Sequence, residues 1–208
     1  MTRIVLATNN AKKLTELRRV VAANESLASR GIEVLGLADL DRYPEPAETE
    51  PTFEGNALLK ARACAAATGL PAMADDSGIC IDVLGGMPGV RSARWSGPDG
   101  TDEENLQLVL RQLADVEPER WVGRFVAAVA FVTPGGAEHT TRGEMPGSIA
   151  TAPRGENGFG YDPIFVPLTD SGDGRTAAEL SADEKDAISH RGQAVRAMVD
   201  IVARELSR

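Results

Sequence analysis

Cysteine is scarce in this 208-residue chain: Cys64 and Cys80 are the only two. Neither sits in a CxxC or Cys/His spacing, so nothing supports a disulfide framework or a thiolate zinc site. Both read as buried free thiols, consistent with a reducing cytoplasm. Long apolar runs are also missing. Met1 to Ala7 is apolar for too short a run to be a signal peptide or a membrane span, so a cytoplasmic protein without membrane attachment is expected. Positive charge is in deficit, with 22 Lys and Arg against 31 Asp and Glu and a net charge of −9. Such a surface repels DNA and RNA, which argues against a nucleic-acid polymer as partner. A small anion can still bind if the few cations gather in one pocket. The glycine spacings GxGxxG and GxxxxGK[ST] do not occur, so neither a dinucleotide fingerprint nor a P-loop is supported.

What remains is ordinary for a folded domain: 42% hydrophobic and 25% charged residues, enough for a sizeable core. No repeat, low-complexity segment or domain boundary stands out, so residues 1–208 read as one domain, or two lobes sharing a sheet. Arg3 to Thr8 reads as a buried strand. Thr8-Asn9-Asn10-Ala11-Lys12-Lys13 then turns into a helix with Leu14, Leu17 and Val21 on one face. Strand, polar turn, helix is an arrangement that offers backbone N–H groups to an anion.

Ile32 to Leu37 reads as a second strand, followed by a loop rich in proline and acid that carries Glu45, Glu48 and Glu50. Thr52 caps an alanine-rich helix from Phe53 to Thr68, closed by Gly69. This helix bears Lys60 and Arg62, which on their own read as solvated surface cations. Ala72 to Ala74 is a short apolar run that stops at Asp75 and Asp76, turns on Ser77-Gly78 and resumes as a strand. Two adjacent carboxylates at a strand end repel unless water or a cation joins them, and hard divalent ions such as Mg²⁺ take carboxylate oxygens. Alone, the pair reads as a solvated acidic turn. Val122 to Val132 and Ala137 to Met145 read as a hairpin across Pro134-Gly135-Gly136, with His139 on the strand surface. Phe159-Gly160-Tyr161-Asp162 places two aromatics and an acid among glycines, in a chain only 4% aromatic. A capping box at Ser181 opens a final helical region with Lys185, Ser189, His190 and Arg191, broken near Arg191-Gly192.

Together these stretches suit a nucleoside triphosphate. Its phosphates need cations and N–H donors, its Mg²⁺ needs carboxylates, and its base needs an aromatic face. Stacking contributes about 1–3 kcal/mol per base, so Phe159 alone supplies useful affinity. The fold expected is mixed α/β, a long central sheet flanked by helices, in two lobes with the active cleft between them.

Six stretches, in order, resemble the inosine triphosphate pyrophosphatase family over nearly the whole chain. They are Thr8 to Lys13, Thr52-Phe53-Glu54-Gly55-Asn56-Ala57 through Lys60-Ala61-Arg62, and Ala74-Asp75-Asp76-Ser77-Gly78. The others are Pro88-Gly89-Val90 to Ser96-Gly97, Gly158 to Pro163, and Ser189-His190-Arg191-Gly192. The resemblance implies Mg²⁺-dependent hydrolysis of ITP, dITP and XTP to the monophosphate and pyrophosphate, by a homodimer. It implies phosphate contacts from the Thr8–Lys13 turn (Thr8, Asn9, Asn10, Ala11, Lys12 and Lys13) and from Lys60, with Glu48, Asp75 and Asp76 at the metal. Asp76 takes the catalytic position and Ser77 a substrate contact. Phe159, Gly160, Tyr161 and Asp162 match the base-binding loop, Lys185 a phosphate or sugar contact, and His190 and Arg191 the base-edge reader. Asn9 stands where relatives often have glycine and is expected to need a left-handed backbone; Arg175 stands where lysine is common. Two alternatives are a Maf-like nucleotide pyrophosphatase and a nucleotide-binding regulator without hydrolysis. The first lacks a reason for the Phe159 loop and Ser189-His190-Arg191, the second for the acidic set.

Overall fold

The computed structural model describes residues 2–9, 11–169 and 171–207, excepting the side chains of Ala11, Lys12, Glu16 and Ser26. In chain order the elements are β1 (Arg3–Leu6), α1 (Ala11–Ala23), α2 (Glu25–Ala28), β2 (Glu33–Gly36), α3 (Phe53–Thr68) and β3 (Ala72–Ile81). They continue with α4 (Asp102–Leu113), β4 (Val122–Val132), β5 (Glu138–Ile149), β6 (Phe165–Pro167), α5 (Ala182–Ile188) and α6 (His190–Glu205). The six strands form one mixed sheet in the order β2-β1-β3-β4-β5-β6. β1 runs parallel to both β2 and β3, while β5 and β6 are antiparallel. The mixed α/β class with a long sheet is therefore the one expected.

The chain divides into two compact units. The first contains residues 1–76, 127–142 and 193–208; the second contains 77–126 and 143–192. Each has an apolar core of its own. In the first unit Ile4, Leu17, Met73, Phe131 and Met198 pack together, most of them wholly buried. In the second, Ile79, Leu106, Leu113, Ile164 and Phe165 do the same. At about 1.5–3 kcal/mol for each large apolar side chain removed from water, either cluster is a substantial source of stability.

Helix α3 follows its local signals closely. Thr52 Oγ1 accepts the Gly55 N–H at 3.1 Å, and Gly69 closes the helix in the left-handed region at φ 67°. Three other readings change. First, Ala72–Ile81 is a single ten-residue strand with no turn at Ser77-Gly78, so Asp75 and Asp76 lie inside it rather than at its end. Gly78 works here by close approach: a Cβ would stand 2.3 Å from Ser92 Oγ and 2.5 Å from the Gly89 carbonyl oxygen. Second, β5 continues past Met145 to Ile149, through Pro146. The Pro146 carbonyl still accepts the Leu168 N–H, and Gly147 admits β6 where a Cβ would meet the Val166 oxygen at 2.3 Å. Third, the break in the final helical region falls at Ser189, not Arg191-Gly192. Ser189 is non-helical (φ −57°, ψ 125°) and its Oγ accepts the Gly192 N–H at 3.2 Å, capping α6.

Candidate functional site

In the first unit, α1, α3, β3 and the acidic loop after β2 assemble a group of opposite charges. Asp75 and Asp76 are 7% and 8% exposed, a level at which carboxylates need partners. They have them. Lys13, from the first turns of α1, places Nζ 2.6 Å from Asp75 Oδ2. Asn56 Nδ2 donates to Asp76 Oδ2 at 3.0 Å, and Asn56 Oδ1 accepts the Glu50 N–H at 3.0 Å. One helical turn further along α3, Lys60 Nζ lies 3.0 Å from Glu48 Oε1 and 3.8 Å from Asp76 Oδ1. Glu48 and Asp76 thus face one cation together.

The three expected metal ligands are not equivalent. Asp75 turns to Lys13, while Glu48 and Asp76 share Lys60. Among the described residues no three acidic, His or Cys side chains converge as an ion-binding group. A hard divalent ion needs no such trio, because it binds through one or two carboxylates, water and substrate phosphate. Two carboxylates already gathered around one ammonium fit that demand, with Glu48 and Asp76 as the donors.

Asn56 is the residue the sequence reading did not single out as functional. It is fully buried, and it ties the acidic loop to Asp76. The available signal was its position four residues before Lys60, on the same helical face.

At the first turn, Thr8 is half-buried just past β1, and its N–H donates to the Leu6 carbonyl. Asn9 is exposed and donates from Nδ2 to Glu45 Oε1 at 2.5 Å. Its backbone is not left-handed: every described residue with positive φ is a glycine. Asn9 therefore does not adopt the glycine-like conformation expected of it. Asn10 lies outside the described residues, as do the side chains of Ala11 and Lys12.

In the second unit the loop around Phe159 is held from beneath. Asp162, 3% exposed, accepts the Phe159 N–H at 2.8 Å and pairs with Lys185 Nζ at 2.5 Å. Gly158 allows this, since a Cβ there would overlap Asp162 Oδ2, and its φ of 81° suits glycine. Phe159 itself remains 57% exposed, with Lys185 Nζ 5.3 Å from its ring centroid. A ring presented this openly is accessible to a ligand. Tyr161 is different. It is buried, and its hydroxyl donates to the Ser92 carbonyl at 2.8 Å. Burial first, and the nearby Asp102 charge second, push its phenol well above the usual range. Tyr161 is thus a support of the loop rather than an open stacking face. Lys185 stands with the aromatic loop. His190 is buried at the start of α6 with its ring stacked on Phe125, 5.2 Å between centroids and 11° apart in plane. Arg191 Nη2 donates to Ser77 Oγ at 3.1 Å. A cavity of about 370 Å³ also occurs in this unit, lined by Pro146, Val166 and Leu168 among others. It includes none of the candidate residues.

The Ham1 family profile matches residues 4–201. A dITP/XTP pyrophosphatase of Cutibacterium acnes is 56% identical over 206 residues, covering 99% of this chain and 98% of the relative. The crystal structure of a nucleoside-triphosphatase / dITP/XTP pyrophosphatase from Mycobacterium abscessus is similar at 51% identity and a TM-score of 0.80, covering 95% of this chain and 98% of that one. A HAM1 protein structure from Coxiella burnetii is similar at 40% identity and a TM-score of 0.87, over 98% of this chain and all of the other. A family match over residues 4–201, on a chain that carries all six motifs in order, spans nearly the whole fold: the chain belongs to the Ham1 family.

Proposed function

We propose that this protein hydrolyses non-canonical purine nucleoside triphosphates, ITP, dITP and XTP, to the nucleoside monophosphate and pyrophosphate. The observation that carries this is end-to-end similarity to dITP/XTP pyrophosphatases at about half of all positions. The local geometry supports it. Water attacks the α-phosphorus, its oxygen forms the new P–O bond, and the bridging bond to the β-phosphate breaks to release pyrophosphate. Asp76 orients that water and accepts its proton, while Asn56 fixes the carboxylate through Oδ2. Lys13 and Lys60 meet the negative charge of the phosphates, exchanging carboxylate for phosphate oxygens as the substrate arrives. Mg²⁺, held by Glu48 and Asp76, would supply Lewis-acid stabilisation of the phosphate oxygens.

Phe159 stacks on the base. His190, Arg191 and the backbone near Asp162 recognise its edge, with donors that match O6 of hypoxanthine and xanthine and clash with the amino group of adenine. A mispaired buried polar group costs about 1–3 kcal/mol, enough for roughly ten- to hundredfold rejection per contact. Residues 1–208 act as one catalytic domain of two lobes, working as a homodimer in the cytoplasm.

The test is product analysis with ITP, XTP, dITP, GTP and ATP, with and without Mg²⁺. Fast Mg²⁺-dependent pyrophosphate release from the first three, with GTP and ATP slow, is the expected result. Orthophosphate release would place attack at the γ-phosphorus and overturn the role of Asp76. Tight ITP binding without turnover would make the protein a nucleotide sensor instead.

A further inference from the structure

The tip of the Phe159 loop is held by two successive backbone amides. The Phe159 N–H goes to Asp162 Oδ2, within the loop. The Gly160 N–H goes to Asp102 Oδ2 at 2.9 Å, a carboxylate 58 residues away in sequence, on the first residue of α4. An acid at that position is ordinarily explained by the helix N-terminus alone. Here the cap is already complete without it: Thr101 Oγ1 accepts the Glu104 N–H, and Glu104 Oε2 accepts the Thr101 N–H and hydroxyl. Asp102 is turned to the loop instead.

The platform beneath Asp102 is firm. Leu106, Val109 and Leu113 bury one face of α4, and Asn105 Oδ1 accepts the Ser96 N–H and hydroxyl. The tip above it needs such a tether. Gly158 and Gly160, at φ 81° and 61°, flank Phe159, so no neighbouring side chain restricts the backbone there. The ring, more than half exposed, draws little hold from packing.

We infer that Asp102 is a positioning residue for nucleotide recognition: by accepting the Gly160 N–H it fixes the backbone from which Phe159 presents its ring to the purine. The inference rests on the proposed reading of Phe159 as the base-stacking face. It assigns Asp102 no contact with the nucleotide and no part in the hydrolytic step.

The experiment compares Asp102→Ala, Asp102→Asn, Phe159→Ala and the Asp102→Ala/Phe159→Ala double variant, each checked for an unchanged circular dichroism spectrum. KM and kcat are measured for ITP, and the inhibition constant is measured for inorganic tripolyphosphate, which has no base. Asp102→Ala is expected to raise KM for ITP about five-fold, the scale of one hydrogen bond, with kcat nearly unchanged and tripolyphosphate inhibition unaltered. Asp102→Asn restores KM, because its amide oxygen accepts the same N–H. In the Phe159→Ala background Asp102→Ala adds nothing further. A full additional loss in that background, an equal weakening of tripolyphosphate, or no rescue by Asn overturns the inference. So does a normal KM in Asp102→Ala when Phe159→Ala has raised it, and that pattern leaves the base-site reading intact. A normal KM in Phe159→Ala instead overturns the base-site reading, and the inference with it.

Discussion

Asp76 accepts a hydrogen bond from Asn56 within a strand that is buried along nearly its whole length, which makes the two residues a coupled unit. Replacing Asp76 by Asn keeps the shape and removes the proposed proton acceptor. Pyrophosphate release should then fall by about 10²–10⁴-fold in kcat, the usual weight of a general base, with a much smaller change in KM. Normal turnover by Asp76→Asn would disprove its role. Asn56→Ala acts one step back. It removes one hydrogen bond from Asp76 Oδ2 and one from the Glu50 N–H, at a cost of about 0.5–3 kcal/mol each. Both melting temperature and kcat should drop, and a fall in melting temperature alone would confine Asn56 to a structural part. The acidic pair was legible in the sequence as a cation-seeking motif. Its setting was not, because the ion pairs Lys13–Asp75 and Lys60–Asp76 close over sequence distances that local pattern does not report.

Elements differ in how far their sequence determines them. α3 was readable to the residue, since its start and stop rest on Thr52 and Gly69, each acting on its immediate neighbours. β3 was misread at Ser77-Gly78, where the polar Asp-Asp-Ser-Gly run has every local mark of a turn. What keeps it extended is tertiary: Ser92 Oγ accepts the Ile79 N–H at 2.9 Å and donates to the Gly89 carbonyl at 2.6 Å, in space that only a glycine at 78 leaves open. Gly78→Ala should therefore destabilise the fold by about 1–3 kcal/mol, as overpacking against backbone does, read as a lower denaturation midpoint in urea. An unchanged midpoint would mean that Ser92 and the Gly89 segment give way freely. The start of α5 offers a pH test. The Arg175 guanidinium first, then the Ser181 backbone and hydroxyl, hold the Glu184 carboxyl down at about 2. A carboxyl lower in the folded than in the unfolded chain stabilises the fold above its ordinary value near 4.5, and the contribution disappears as pH falls toward 2. Denaturation between pH 5 and pH 2 should show a shallower loss of stability in Glu184→Gln than in the parent. Identical slopes would remove this pair from the acid response. Arg175 grips Glu184 with two N–H bonds, an arrangement that a single ammonium cannot reproduce.

At the scale of the whole molecule, stability and catalysis draw on separate resources. Each unit has an apolar core built from its own strands and helices, and Asp75, Glu48 and Asp76 of the first already have lysine partners in the same unit, Lys13 for one and a shared Lys60 for the other two. A fold that depended on a structural ion would lose stability with its removal, as metal-nucleated domains do. Here the divalent ion of the proposed reaction is needed only when phosphate charge must be met. The net charge of −9 also opposes the approach of a tetra-anionic nucleotide, which adds weight to the local neutralisation proposed at Lys13, Lys60 and the ion. Exhaustive treatment with a chelator should accordingly abolish pyrophosphate release from ITP while moving the melting temperature by no more than about 2 °C, the lower end of the shift expected from a loss of 1 kcal/mol. Added Mg²⁺ should restore activity fully and at once, without refolding. A large fall in melting temperature on chelation would show that Glu48 and Asp76 hold an ion as part of the fold, and the division of labour argued from the lysine pairs would be wrong. Undiminished activity after chelation would remove the ion from the reaction, leaving Lys13 and Lys60 to meet the phosphate charge alone.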